Sequence, residues 1–283
     1  MIKPALLNTI LSSIIATTGL AQSDTGYFKT SVTISRDSIT AIRKTILDLP
    51  NETFNPHSFT GKNNITTQYR QLDPVQQRKS SKYPLVVVLH GSNAVGTNNT
   101  EQLGILVKFW AQQSIREKYP AYVIAPQFPV RSSNYIHDAI LNTETSIPDP
   151  CLSTALQLID SLKRTLNIDP HRIYIMGMSM GGSGVINSIE LRPDLFAAGI
   201  NISGVAAFNN LNKLKQVPLW ITHGNADEEN PYQSDWILYQ KLKAIKAPGL
   251  RFWEVDGLKH ETFYLLYATE EIPKWLFKHR KRK

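Results

Sequence analysis

Apolar and polar residues along this chain follow two rhythms, and the change between them falls near residue 81. Before it, apolar positions alternate with a period of two in short pieces at 28–34 and 65–72, with a helical or extended piece at 39–49 between them. Residues 22–81 therefore read as an N-terminal extension of mostly antiparallel strands at one sheet edge, ending in the polar turn QQRKSSKY at 76–83. After it, strand-like and helical patterns alternate, the signature of an α/β fold with a mostly parallel, twisted sheet and helices on both faces. Residues 85–89, LVVVL, form a continuous apolar run, as a strand buried on both faces requires. Further strands are expected at 121–125, 172–176, 197–202, 218–222 and 249–255, and helices at 103–118, 150–166, 232–245 and 262–277. Residues 126–148 read as a long, polar, irregular insertion.

The strand at 172–176 runs directly into Gly177-Met178-Ser179-Met180-Gly181, with small residues following before a helix begins. A serine hydroxyl needs exposure, a base and oxyanion donors before it can attack a carbonyl. A strand–turn–helix with glycines on both sides of the serine supplies the exposure, and it turns the Met180 N–H into a donor. In parallel sheets, functional groups gather past the carboxyl ends of the strands. There stand Asp227, after the strand at 218–222, and His260, after the strand at 249–255. The order Ser179, Asp227, His260 assigns nucleophile, acid and base, with Glu228 and Glu229 as the alternative acids. The loop after 85–89 begins His90-Gly91-Ser92, and the Ser92 N–H is the second expected oxyanion donor, with His90 a packing or hydrogen-bonding residue behind it.

Composition narrows the setting. Lys3, a short apolar stretch and small residues ending Gly19-Leu20-Ala21 describe a signal peptide at 1–21, cut after Ala21, which sends the chain to the periplasm or out of the cell. Its apolar core is shorter than the roughly 20 residues that span a bilayer. The formal charge is +8, but Lys278, Arg280, Lys281, Arg282 and Lys283 crowd into 278–283 as a solvated basic tail. The body is nearly neutral, which speaks against nucleic acid as a partner. Cys151 is the only cysteine and reads as a small buried hydrophobe. His57, His137, His171 and His279 have no metal-ligand spacing, so neither metal nor cofactor is expected. The aromatics Phe128, Tyr135, Tyr232 and Trp236 are candidate substrate contacts rimming the site. Asn51, Asn64, Asn98 and Asn201 stand in glycosylation sequons.

Several segments together carry a family resemblance: YPLVVVLHGS at 83–92, YVIAPQ at 122–127, DPHRIYIMGMSMGGSG at 169–184, RPDLFAAGINISG at 192–204, PLWITHGNAD at 218–227 and the histidine of VDGLKH at 255–260. In this order the chain resembles the α/β-hydrolase superfamily, and within it the secreted esterases and predicted peptidases related to feruloyl esterases and to the prolyl oligopeptidase catalytic domain. The likeness spans 82–277, leaving 22–81 outside it. Two features depart from the group: HGSNAVG holds fewer glycines than the usual oxyanion loop, and Glu228-Glu229-Asn230-Pro231 stands where a valine and proline usually follow the acid. The resemblance implies a serine hydrolase working through an acyl-enzyme. The polar insertion favours short acyl or hydroxycinnamoyl esters of carbohydrates over fats. A peptidase, or a binding protein that keeps the fold without the chemistry, are the alternatives.

Overall fold

The computed structural model describes residues 26–281, Gln76 and Lys79 excepted; the expected leader at 1–21 lies outside the described residues. Nine strands form one sheet: β1 (Tyr27–Ser31), β2 (Asn55–Thr60), β3 (Thr66–Leu72), β4 (Tyr83–Leu89), β5 (Tyr122–Gln127), β8 (Ile168–Met178), β9 (Ala198–Ile202), β10 (Leu219–Gly224) and β11 (Arg251–Asp256). Their spatial order is β1-β11-β10-β9-β8-β4-β5-β3-β2. Every pair from β1 to β5 is parallel, while β3 and β2 add antiparallel. The two-residue period of the strands feeds two cores. Val86, Val88, Tyr174 and Met176 point into one, and Leu85, Val87, Leu89, Ile173 and Ile175 into the other.

The extension at 22–81 departs from its expected place. β2 and β3 do form an antiparallel edge beside β5, but β1 pairs in parallel with β11 at the opposite edge. Alternation reveals that a strand has two unlike faces; it does not say which neighbour the strand will find. Between these strands lies helix α1 (Arg36–Leu47), whose Ser35 side chain caps it by accepting the Ser38 N–H at 3.2 Å. Ile42 and Ile46, four residues apart, turn its apolar face into the core. At its other end the ammonium of buried Lys108 donates to the Leu47 and Leu49 carbonyls at 2.7 and 2.6 Å. A cation there satisfies orphaned carbonyls and opposes the negative end of the helix dipole.

Three further expectations are corrected. The 126–148 insertion contains a hairpin, β6 (Ser133–Asp138) with β7 (Thr143–Pro148), whose inward positions are polar and so carry no apolar alternation to read. Ser133 Oγ accepts from Asn187 Nδ2 at 3.0 Å, and Ser234 Oγ donates to the Glu144 carbonyl at 2.9 Å. The basic tail is docked rather than solvated over 278–281: Arg280 lies 2.6 Å from Asp169, and the Lys281 N–H donates to the His171 carbonyl at 3.0 Å. The helix at 150–166 is found as α4 (Pro150–Thr165), capped by Asp149, and buried Cys151 on it has a thiol pushed up by burial. The helical stretches at 103–118 and 262–277 are broken into shorter pieces. Among the described residues, no helix is long and apolar enough to cross a membrane.

The Lys108 contacts tie α1 to the body, so Lys108→Met should lower unfolding free energy by about 1–3 kcal/mol, read as a lower urea midpoint with an unchanged m-value.

Candidate active site

Ser179 stands between β8 and the helix α5 (Met180–Leu191) at φ 60°, ψ −124°, a conformation uncommon for a residue with a side chain. Its surroundings leave no other choice. The Ser179 N–H donates to the Ile202 carbonyl at 2.9 Å, and its carbonyl accepts the Ser183 N–H at 3.0 Å. The flanking glycines permit the approach: a Cβ on Gly177 would lie 2.5 Å from the Gly181 carbonyl carbon, and one on Gly181 would lie 2.3 Å from the Leu89 oxygen.

Two peptide groups flank the serine. The Ser179 carbonyl points along α5, so the trans Met180 N–H in the same planar peptide points out of the helix start. On the other side, a Cβ on Gly91 would sit 3.6 Å from the Ser179 Cβ, which puts the 90–92 loop beside the hydroxyl. His90 fixes that loop. Its Nε2 accepts the Phe128 N–H at 2.9 Å, leaving Nδ1–H to donate to the Gly91 carbonyl at 2.7 Å. With the Gly91 oxygen held there, the Ser92 N–H of the same peptide faces the opposite way. Burial depresses the His90 ring to about 4, keeping it in this neutral tautomer.

The residues expected as base and acid are brought to the serine. His260 Nε2 lies 2.8 Å from Ser179 Oγ, and His260 Nδ1 lies 2.7 Å from Asp227 Oδ2. Of the three candidate carboxylates only Asp227 is buried, its side chain being 0% exposed. Glu228 reaches out to Lys259 at 3.4 Å, and Glu229 lies 3.8 Å from His260 Nε2 but is largely solvated. Asp227 Oδ1 accepts the Glu229 and Asn230 N–H groups, each at 2.9 Å, and Oδ2 also faces His223 Nε2 at 3.2 Å. Burial opposes the carboxylate, yet these donors win and hold it well below the usual range.

An open cleft of about 530 Å³ reaches Ser179, Ser92 and His260. Its far wall comes from α1, through Arg36, Ile39 and Arg43, from a region the motifs do not cover. The four candidate aromatic contacts do not line it. Phe128 is fully buried beside His90; Tyr232 and Trp236 stack in a cluster with Phe252; Tyr135 hydrogen-bonds Ser183 at 3.1 Å beneath the turn. Each was placed by its chain neighbours, and an element's buried face takes its aromatics inward. Asn201, in a sequon, is also buried, donating to Asp235 at 2.7 Å. Among the described residues no group of His, Cys, Asp and Glu side chains is arranged to hold a metal ion.

The His90 environment makes a pH prediction. The unfolded chain takes up this proton near pH 6.5 and the folded chain only near 4, so stability falls as pH drops through that window, by about 3 kcal/mol. His90→Gln, which can keep both hydrogen bonds but cannot titrate, should remove that much of the acid destabilisation in urea titrations at pH 4 and pH 7.

Comparison with known proteins agrees with this architecture. Residues 148–246 match the prolyl oligopeptidase family. A stretch of 77 residues, 27% of this chain, is 34% identical to a bifunctional acetylxylan esterase/xylanase of Neocallimastix patriciarum, of which it spans only 12%. The structure superposes on that of a thermostable esterase with a TM-score of 0.72 and 31% identity, covering 81% of this chain and 64% of the other. It also superposes on a ferulic acid esterase of Anaeromyces mucronatus with a TM-score of 0.54 and 14% identity, covering 76% of this chain and 87% of that one, a likeness of fold alone. The parallel sheet and the superposition on the thermostable esterase give the chain an α/β-hydrolase fold, and within it the chain is similar to the group related to feruloyl esterases and the prolyl oligopeptidase catalytic domain.

Proposed function

We propose that the protein is a serine hydrolase of carboxylic esters, with Ser179 as nucleophile, His260 as base and Asp227 as acid. The observation that carries this reading is the unbroken series Ser179 Oγ, His260, Asp227 at 2.8 and 2.7 Å on a strained turn. Ser179 Oγ attacks the ester carbonyl and its proton passes to His260 Nε2, while Asp227 stabilises the imidazolium. The carbonyl oxygen becomes an oxyanion received by the Met180 and Ser92 N–H groups. Collapse expels the alcohol, which takes the proton from His260 and leaves an acyl group on Ser179. Water, deprotonated by His260, then releases the acid and restores the serine.

The substrate reading rests on the cleft. Its wall carries Arg36, Thr40 and Arg43 beside apolar Ile39, a mixed lining open to water that suits short acyl or hydroxycinnamoyl esters of carbohydrates better than long chains. The activity in the name of the acetylxylan esterase relative supports the same class. The match to the prolyl oligopeptidase family favours a second reading, a serine peptidase.

Ser179→Ala should cost roughly 10⁴-fold or more in kcat, with little further loss on adding His260→Ala, since the two act as a unit. Labelling by a fluorophosphonate should disappear with it, and EDTA should leave the rate unchanged. Wild-type rates in Ser179→Ala contradict the assignment. Asp227→Asn should be far more damaging than Glu228→Gln or Glu229→Gln; a glutamate variant that proves the worst moves the acid.

For substrate class, kcat/KM is compared for p-nitrophenyl acetate, methyl ferulate, p-nitrophenyl palmitate and a peptide anilide. The first two should lead; preference for the anilide selects the peptidase, and preference for palmitate overturns the reading of the cleft.

A further inference from the structure

Behind Asp227 the hydrogen-bonded series continues into the protein, where no reaction step needs it. His223 Nε2 faces Asp227 Oδ2 at 3.2 Å, and His223 Nδ1 faces Asp235 Oδ2 at 2.8 Å. Asp235 Oδ1 accepts Asn201 Nδ2 at 2.7 Å, and Asn201 Oδ1 accepts the Gly204 N–H at 3.1 Å. Asn201 precedes Ile202, whose carbonyl holds the Ser179 N–H. The side chains of His223, Asp227 and Asp235 are all 0% exposed. Three titratable groups in a row, closed off from water, are costly unless their charges match.

We propose that His223 and Asp235 are positioning residues for the acid: a buried imidazolium–carboxylate pair that aims Asp227 at His260 and limits how firmly Asp227 holds a proton on His260. This rests on reading Ser179, His260 and Asp227 as the reacting series. The geometry argues for the charge. Both ring nitrogens of His223 face carboxylate oxygens, so a neutral ring would set a lone pair against one of them unless Asp235 kept a proton. The pair is neutral wherever that proton sits, but only the imidazolium puts a cation beside Asp227.

Burial disfavours that cation, yet the two carboxylates outweigh burial and lift His223 to about 9, while burial pushes Asp235 upward. His223 Nε2 also faces the Asn230 carbonyl at 3.3 Å, and the Tyr232 ring lies 5.8 Å from the imidazole, on the helix Tyr232–Ala244 that also carries Asp235. Facing His260 are Asp227, Ser179 and Glu229. A positive His223 repels the imidazolium that forms at His260. Remove the cation, and His260 keeps its proton to higher pH, shutting down the base in that range.

Two measurements test this, one on the unaltered protein. In ¹⁵N spectra of wild-type imidazoles near pH 7, His223 should carry protons on both nitrogens; a neutral His223 ring overturns the proposal. In His223→Gln, which removes the cation, and in His223→Gln/Asp235→Asn, which removes the whole pair, the acid limb of kcat/KM should move up by about one pH unit. Their kcat should fall by about 10²-fold with KM little changed, as expected of a misaimed base. Folded variants with the wild-type acid limb overturn the proposal, whatever their stability. Should the variants not fold, the wild-type spectrum decides. A wild-type protein without esterase activity or fluorophosphonate labelling ends the functional reading instead, and the protonation of His223 is still measured.

Discussion

The contact on which the rest depends is the approach of Gly181 to the Leu89 carbonyl, closer than any side chain allows. It joins the carboxyl end of β4 to the start of α5, and so puts the 90–92 loop and the β8–α5 turn side by side. Ser179 pays for this in backbone strain, at φ 60°. The strain persists because the elements on either side are over-determined: β4 is buried along its whole length, and nearly every residue of α5 is buried too. A turn on a looser scaffold would relax and withdraw the hydroxyl.

Electrostatics around that turn follow from burial. His90, with backbone partners on both nitrogens, stays neutral; Asp227, with donors on both oxygens, stays charged. The same fold thus drives two side chains of the site away from their solution behaviour in opposite functional senses. One becomes a fixed strut for a backbone donor, the other a fixed anion under His260. For His90 burial sets the sign against the pull of the Gly91 hydrogen bond, whereas for Asp227 the hydrogen-bond donors overcome burial.

How much was legible in the sequence tracks how local each signal is. The β4 run, the glycine-flanked serine and the order of Ser179, Asp227 and His260 are written in short segments, and all three residues meet in the structure. Asp227 could be chosen over its glutamate neighbours because it lies nearest the strand end. The partner of β1 could not be read, since pairing between residues 27–31 and 252–256 crosses most of the chain. The hairpin at 133–148 was hidden by its polar inner face, and the docking of Arg280 by its partner Asp169, 111 residues away. His223 was in plain view within PLWITHGNAD, but its role needs Asp235 from the following helix, which no spacing rule connects to it.

The placement of α1 is the least legible feature, and it joins the cleft wall to the loop carrying His260. The helix forms the far wall of the cleft, yet it comes from the extension that the shared motifs leave out. Lys108 holds its C-terminal end, and at the other end Arg36 pairs with Glu261, the residue after His260, at 3.0 Å. That exposed ion pair contributes little stability by itself. Its meaning is geometric: through it the cleft wall and the loop carrying His260 share a contact. In this fold the core sets the reacting atoms and added segments set what reaches them. Here one added helix stands against both.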